Sequence, residues 1–196
     1  MNNVNAPSGF TPVKNAVGGT PRPNNGGDYA IAGGLASNIF RGSLVKPTGT
    51  GANIDVVAAG NNPSIGTFHG CNYVDANGNT MFRPYWGSGQ TVLAGTTVEA
   101  TVFDDPDLLF DAQVSGAAGL ANTNIGNTAN VLIGTGNTLT GQSGDQIDQS
   151  TFSNSSTTQQ LQVVSLRNMV TNAYGQYARA LAQIFLHYKR AAVTPY

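Results

Sequence analysis

Charged residues are scarce in this chain of 196 residues, because Asp, Glu, Lys and Arg together make up 10% of it, against roughly a quarter in ordinary soluble domains. The nine basic and ten acidic residues give a formal net charge of -1. The chain therefore lacks the excess of Lys and Arg that sequence-independent binding to phosphates requires. We expect no nucleic-acid partner.

Long hydrophobic runs and paired cysteines are also missing. No apolar stretch approaches the roughly 20 residues that a membrane-spanning helix needs, and the first residues have neither a basic flank nor an apolar core. We expect no membrane insertion and no secretion signal. A single cysteine, Cys71, excludes a disulfide within the chain and is compatible with a reducing compartment.

Basic residues are absent from 84–166, where seven acidic residues lie, and acidic residues are absent after Asp148, where Arg167, Arg179, Lys189 and Arg190 follow. Patches of opposite sign steer association between copies or with a partner. The alternative interpretation is that the fold joins the two segments as ordinary surface ion pairs. The sequence leaves both open.

The segment 1–52 contains five of the nine prolines and several Gly-Gly pairs, which disfavour continuous strands or helices. Its apolar residues are spaced too loosely to form a core by themselves. We predict an extended N-terminal arm that docks on a partner and that could be deleted up to residue 40 without unfolding the rest; a flexible tail or irregular loop is the alternative. The candidate partner-binding residues are Phe10, Tyr29, Ile39, Phe40 and Arg41.

The residues 53–196 have the patterns of β-strands. Asn77-Gly78 separates two strand-like runs and is typical of a hairpin turn, and Val98, Ala100 and Val102 alternate with polar residues. The pattern favours a strand over a helix near 179–189. Gly, Asn and Thr dominate a loop insert with short strands at about 116–158. The predicted strands are 54–57, 64–73, 80–86, 90–103, 108–114, 160–169 and 179–189. We predict a mainly β fold, a single antiparallel β-sandwich or barrel-like domain.

Two groups of residues suggest metal chemistry. His69 and Cys71 are two apart, so a regular strand would place both on one face. Further ligands are not marked, and a packed thiol beside a surface or hydrogen-bonded imidazole is favoured. Asp104, Asp105, Asp107 and Asp111 suggest a calcium site or a hydrolase acid and base. Pro106 interrupts that cluster, and solvated turn carboxylates are favoured. We expect no cofactor, no metal and no enzymatic activity.

Aromatic residues at 73–86 allow a further interpretation. Tyr73, Phe82, Tyr85 and Trp86 could form a platform for sugars, although aromatic side chains on strands more often lie in a core. This group supports the alternative function, a carbohydrate-binding or adhesive module displayed on a virion or a cell.

Three segments resemble a known class of proteins. F-H-G-C-N-Y-V-D-A-N-G-N at 68–79, A-T-V-F-D-D-P-D-L-L-F-D-A-Q at 100–113 and N-A-Y-G-Q-Y-A-R-A-L-A-Q-I-F-L-H at 172–187 resemble virion structural proteins of tailed bacteriophages, in particular capsid decoration or cement proteins. The resemblance covers roughly 64–190. The long insert departs from the smallest members of that class.

The resemblance implies a non-enzymatic protein of the outer capsid surface, made in the host cytoplasm and located in the virion. Its partners would be the major capsid protein and copies of itself, with a homo-trimer favoured over a dimer. No active-site residues follow from the resemblance.

Overall fold

The computed structural model describes residues 3–24 and 27–190, and these form a mainly β structure, as predicted. Every pairing between two named strands is antiparallel. Two single-turn 3-10 helices lie at Asn122–Asn124 and Gln149–Thr151. The strands are β1 Thr11–Asn15, β2 Ala30–Ile31, β3 Ile39–Phe40, β4 Leu44–Pro47, β5 Ile54–Val56, β6 Gly66–Val74, β7 Thr80–Arg83, β8 Tyr85–Trp86, β9 Val98–Phe103, β10 Leu108–Gln113, β11 Thr128–Ala129, β12 Val131–Leu132, β13 Gln146–Ile147, β14 Leu161–Leu166 and β15 Arg179–Ile184.

One sheet has five strands in the order β1-β10-β15-β14-β11. In its middle, Phe110 lies opposite Pro12 of β1 on one side and Ala182 of β15 on the other. Ala180, Ala182 and Ile184 of β15 are buried together. This confirms the strand predicted near 179–189, because the inward positions recur every second residue, as the pleat requires.

The second sheet has six strands, in the order β2-β9-β6-β4-β5 with β7 also paired to β6. The hairpin β6–β7 confirms the prediction from Asn77-Gly78. Asp75 accepts hydrogen bonds from the backbone N–H groups of Asn77 and Asn79, each at 2.9 Å, and Gly78 has φ of +86°, which glycine adopts readily.

The two faces of the six-stranded sheet contribute to two hydrophobic clusters. Leu44 and Phe103 belong to the cluster shared with the five-stranded sheet, whereas their neighbours Val45 and Val102 belong to a second cluster. Successive residues of a strand point to opposite faces, so β4 and β9 supply both clusters. The second cluster includes the fully buried Trp86.

The prediction of an extended arm at 1–52 is wrong for the described residues of that segment. β1 pairs with β10, β2 with β9, β3 with β8, and β4 with both β5 and β6. Phe10 and Ile39 are 1% and 0% exposed. Proline and glycine keep these strands to two to five residues but do not prevent pairing with distant strands. Residue 53 therefore marks no boundary between an arm and a body.

The insert at 116–158 contains short strands, as predicted. Within it, residues 131–147 form an outward and a return segment that we call the finger. Val131 pairs with Ile147 and Leu132 with Gln146 at its base, and Asn137 pairs with Gln142 near its tip. Between these points, a Cβ on Gly134 would lie 2.0 Å from the carbonyl oxygen of Gly144, so the close approach requires glycine.

Candidate interaction surface

The connection from β3 to β4 joins the N-terminal segment to the finger. Arg41 N donates to the carbonyl of Gly141, and Ser143 N donates to the carbonyl of Arg41, each at 2.9 Å. On the other side, Phe10 N donates to the carbonyl of Gly42 at 2.8 Å. Residues 39–43 therefore connect the finger to the segment that contains Phe10, and Arg41 lies between them.

One cavity, which we call cavity A, lies beside this connection and has a volume of about 350 Å³. Its lining includes Phe10 and Phe103, which belong to the cluster shared by both sheets, and Phe68, whose side chain is buried in the second cluster. Arg41 and His69 add polar groups to the lining. The size is near the lower end of the range for ligand cavities, on the order of 300 Å³.

The polar side of cavity A is electropositive. Arg41 Nε donates to the carbonyl of His69 at 3.1 Å. Burial lowers the pKa of His69, and the positive charge of Arg41 lowers it further, so this imidazole is neutral at neutral pH. Its ring lies edge-on to Phe103, with ring centres 5.2 Å apart. Arg41 therefore supplies the positive charge at cavity A.

A second cavity, cavity B, lies on the other side of the same connection and has a volume of about 370 Å³. Its lining includes Phe40, Ile133 and the buried Asp145. Gly134 N donates to the carboxylate of Asp145 at 3.0 Å. Burial raises the pKa of Asp145, and the hydrogen bond from Gly134 opposes that rise. Cavity B thus differs from cavity A in holding a carboxyl group instead of a guanidinium.

Phe40 links β3, β8 and the finger. Its ring stacks on Tyr85 with centres 5.6 Å apart and an angle of 18° between the planes. It also lies so close to Gly136 that a Cβ there would be 2.1 Å from the ring. Both aromatic residues are partly exposed. The finger therefore packs against Phe40, which in turn stacks on Tyr85.

The tip of the finger presents Leu139, whose side chain is 95% exposed. The backbone beneath it is fixed, because Asn137 Oδ1 accepts hydrogen bonds from Leu139 N at 2.8 Å and from Thr140 N at 3.3 Å. Gly141 N also donates to the carbonyl of Asn137 at 2.7 Å. Leu132 and Ile133, nearer the base, are 39% and 50% exposed. An ordered turn thus holds an aliphatic side chain in solvent.

The five predicted partner-binding residues have different environments. Phe10 and Ile39 are buried within the chain, so the prediction that they contact a partner is wrong for this fold. Phe40 and Arg41 are partly exposed and lie at the surface described above. Tyr29 donates a hydrogen bond to Asp104 at 2.7 Å and lines neither cavity. The sequence analysis missed Leu139, although a lone leucine within the polar run 134–142 was a visible signal.

The aspartate cluster is occupied by ion pairs with the basic C-terminal segment. Arg179 Nε contacts Asp111 at 2.9 Å, and Arg190 contacts Asp107 at 2.9 Å. Arg167 also lies near Asp111, and Lys189 pairs with Asp104. The interpretation of the uneven charge as pairs within the fold is therefore confirmed for all four basic residues.

Hydrogen bonds decide the ionisation of Asp104. Burial alone would raise the pKa of Asp104, but hydrogen bonds from Lys189, Tyr29 and Asn24 and the charge of Lys189 lower it overall. Burial and the bond to Asp104 in turn raise the pKa of Tyr29. Asp104 is therefore an ionised member of a structural network.

His69 and Cys71 do not share a face. The register of β6 against β9 shifts between Phe68 and Gly70, and this bulge inverts the alternation that a regular strand would have. Cys71 is buried in the second cluster, whereas His69 faces Phe103 of the first. Burial raises the pKa of the Cys71 thiol to about 12. Among the residues in the structure's described ranges, no group of three or more His, Cys, Asp or Glu is arranged to hold a metal ion.

The proposed aromatic platform is split between core and surface. Trp86 and Tyr73 are buried and meet edge to face with ring centres 5.5 Å apart. Phe82 is exposed and Tyr85 stacks on Phe40. Trp86 is therefore not available as a sugar-stacking residue.

No helix in residues 3–24 and 27–190 has the length and apolar character needed to cross a membrane.

Comparison with protein-family models, with curated proteins and with solved structures finds no match to this chain. The resemblance to capsid decoration proteins therefore depends on the sequence segments quoted for it.

Proposed function

We propose that this chain is a non-enzymatic virion structural protein that binds the outer surface of a bacteriophage capsid and stabilises contacts between major capsid protein subunits. The capsid is proposed as the partner because three sequence segments resemble those of capsid decoration proteins. The structural observation that supports a binding role most directly is Leu139, an almost fully exposed aliphatic side chain on a hydrogen-bonded turn.

An exposed side chain on an ordered turn is suited to binding. Burial of a leucine contributes about 1.5–3 kcal/mol, and a backbone that is already fixed loses little conformational entropy on association. Leu132 and Ile133 extend the apolar surface toward the base of the finger. We propose that the finger, and not the N-terminal segment, is the main capsid contact.

Internal charge pairing is compatible with this role. The basic residues from Arg167 to Arg190 are paired with aspartates of the same chain, so they contribute little net attraction to an external anionic partner. Contact area, repeated over many copies, would then determine affinity. In this proposal the protein is a β-sandwich whose two sheets share one hydrophobic cluster, and it assembles as a trimer.

The substitution Leu139→Ser tests the proposal. We expect its affinity for purified capsids to fall at least tenfold, because the lost burial corresponds to about 1.4 kcal/mol or more. The matched control is Val170→Ser, since Val170 is also highly exposed, at 86%, but lies outside the finger. Both variants should unfold at the wild-type temperature. Co-sedimentation with capsids over a concentration series gives the occupancy.

Equal occupancy by the wild type and Leu139→Ser would show that the finger is not the main capsid contact. If the wild type does not bind capsids at all, the capsid is not the partner. Screening the wild type against a glycan array tests the alternative of a carbohydrate-binding module. Light scattering of the purified protein tests the trimer.

A further inference from the structure

We infer that cavity A is a binding site for a carboxylate attached to an aromatic group, with the Arg41 guanidinium holding the carboxylate and Pro12, His69 and Phe103 contacting the ring. This inference goes beyond the proposed function and does not depend on it. The ligand chemistry follows from the charge, the shape and the lining of the cavity.

The charge of the cavity favours an anion. Arg41 makes no ion pair with any carboxylate among residues 3–24 and 27–190, and no Asp or Glu lines cavity A. Its Nε already donates to the carbonyl of His69, which fixes the orientation of the guanidinium plane. A planar guanidinium held in this way can offer parallel N–H donors to a carboxylate.

The lining favours an aromatic group over a small hydrophilic anion. Pro12 and the His69 ring are partly exposed in the lining, and Phe103 lies edge-to-face with His69. A ring that enters between them gains apolar burial and edge-to-face contacts. A single guanidinium beside a neutral imidazole matches a monoanion better than a phosphate dianion, which protein sites usually surround with several cations or backbone N–H groups.

An unpaired hydroxyl lies next to the same cavity. Thr67 lines it and is 1% exposed, and its Oγ1 has no hydrogen-bond partner in the described part of the chain. Buried hydroxyl groups are rarely left without a partner. A ligand oxygen near Arg41 would be a suitable acceptor for this group.

Phenylacetate is the probe, and phenylacetamide and acetate are its controls. Phenylacetamide keeps the ring and the shape but loses the charge, and acetate keeps the charge but loses the ring. The ring signals of the histidines in proton NMR spectra report binding, because the chain has two histidines and only His69 lines cavity A. Phenylacetate should shift the signals of His69 and leave those of His187 unchanged.

We expect the amide and acetate each to bind at least about tenfold more weakly than phenylacetate, because the amide lacks the charge that strengthens hydrogen bonds from Arg41 and acetate lacks the apolar burial of the ring. Arg41→Gln should weaken the binding of phenylacetate by a similar factor. Arg83→Gln removes a positive charge outside the lining of cavity A and should leave this binding unchanged. A peptide with an internal Phe-Asp pair distinguishes a protein-borne carboxylate from a free acid, and tighter binding of either one supports the site.

Equal binding of phenylacetate and phenylacetamide to the wild-type protein would overturn the inference, and this comparison needs no variant to fold. A shift of His187 together with His69 would also overturn it, because it would indicate binding elsewhere. Inorganic phosphate that displaces phenylacetate at equal concentration would contradict the requirement for an aromatic carboxylate.

Discussion

His187 is a buried histidine, 5% exposed, that holds the residues after β15 against the start of β6. Its Nδ1 accepts a hydrogen bond from Lys189 N at 3.0 Å, and its backbone bridges to Ser64. Burial, together with the positive charges of Arg190 and Lys189 and against the opposing effect of Asp104, lowers the pKa of His187 to about 4. The imidazole is therefore neutral in the folded protein at pH 6.

This burial makes stability depend on pH. In the unfolded chain His187 binds a proton below about pH 6.5, whereas the folded protein takes it up only near pH 4. The unfolded state binds more protons between these values, so the free energy of unfolding decreases as the pH falls from 6.5 to 4. The difference of about 2.5 pKa units corresponds to roughly 3 kcal/mol.

His187→Gln tests this dependence. We expect the variant to lose less stability than the wild type between pH 6.5 and 4, by roughly 3 kcal/mol over the range. Urea unfolding at five pH values gives the two curves. The other side chains are the same in both proteins, so the difference between the curves reports the effect of removing His187. Parallel curves would show that its pKa is not lowered by folding.

At the scale of the strand, the N-terminal segment is part of the fold, and Phe10 shows its contribution. Phe10 precedes β1 and lies in the cluster shared by both sheets. Residues before it are also attached, since Gln113 Nε2 donates to Asn5 Oδ1 at 2.8 Å and Arg179 donates to Ser8 Oγ at 3.2 Å. Deletion of residues 1–40 would therefore unfold the protein instead of releasing an arm.

Phe10→Ala and Phe82→Ala form a matched pair of phenylalanine substitutions. Phe10 is 1% exposed and Phe82 is 59% exposed. We expect Phe10→Ala to lower the free energy of unfolding by about 3–5 kcal/mol and Phe82→Ala to lower it by about 1 kcal/mol or less. Chemical denaturation measures both. Similar small losses would restore the interpretation of residues 1–52 as a removable arm.

Local signals in the sequence predicted the elements that depend on neighbouring residues. The hairpin β6–β7 follows from Asn77-Gly78, and the alternation in β9 and β15 follows from the two-residue period of a strand. The placement of β1 beside β10 could not be predicted in this way, because it joins residues about 95 positions apart and no local pattern specifies such a pairing.

A one-residue irregularity had the largest effect on the candidate sites. The bulge after Phe68 moved His69 to the face of Phe103 and so placed it in the lining of cavity A. The two-residue period of a strand assumes a regular pleat, and on that assumption the sequence predicted His69 on the same face as Cys71. Cavity A could not be predicted from the sequence for a different reason, because it joins residues of β1, β6, β9 and the finger, which are far apart in the chain.

For the whole molecule, most strand pairs join distant parts of the chain. β1 pairs with β10, β2 with β9, and β11 with β14. Folding must close long loops before these contacts form, so we expect refolding in milliseconds to seconds and not in microseconds. Trp86 is the single tryptophan and is fully buried, so stopped-flow fluorescence after dilution from urea reports the rate. A submillisecond phase with full amplitude would contradict this expectation.

The buried thiol of Cys71 has a practical consequence for imaging. Its side chain is fully buried and its pKa is raised to about 12, so very little reactive thiolate reaches solvent at neutral pH. A cysteine introduced in place of Val170, which is 86% exposed and lies outside the finger, would then be the one thiol open to a maleimide reagent in the native protein. A fluorophore or a gold cluster could be attached there without removing the native cysteine and without altering the finger.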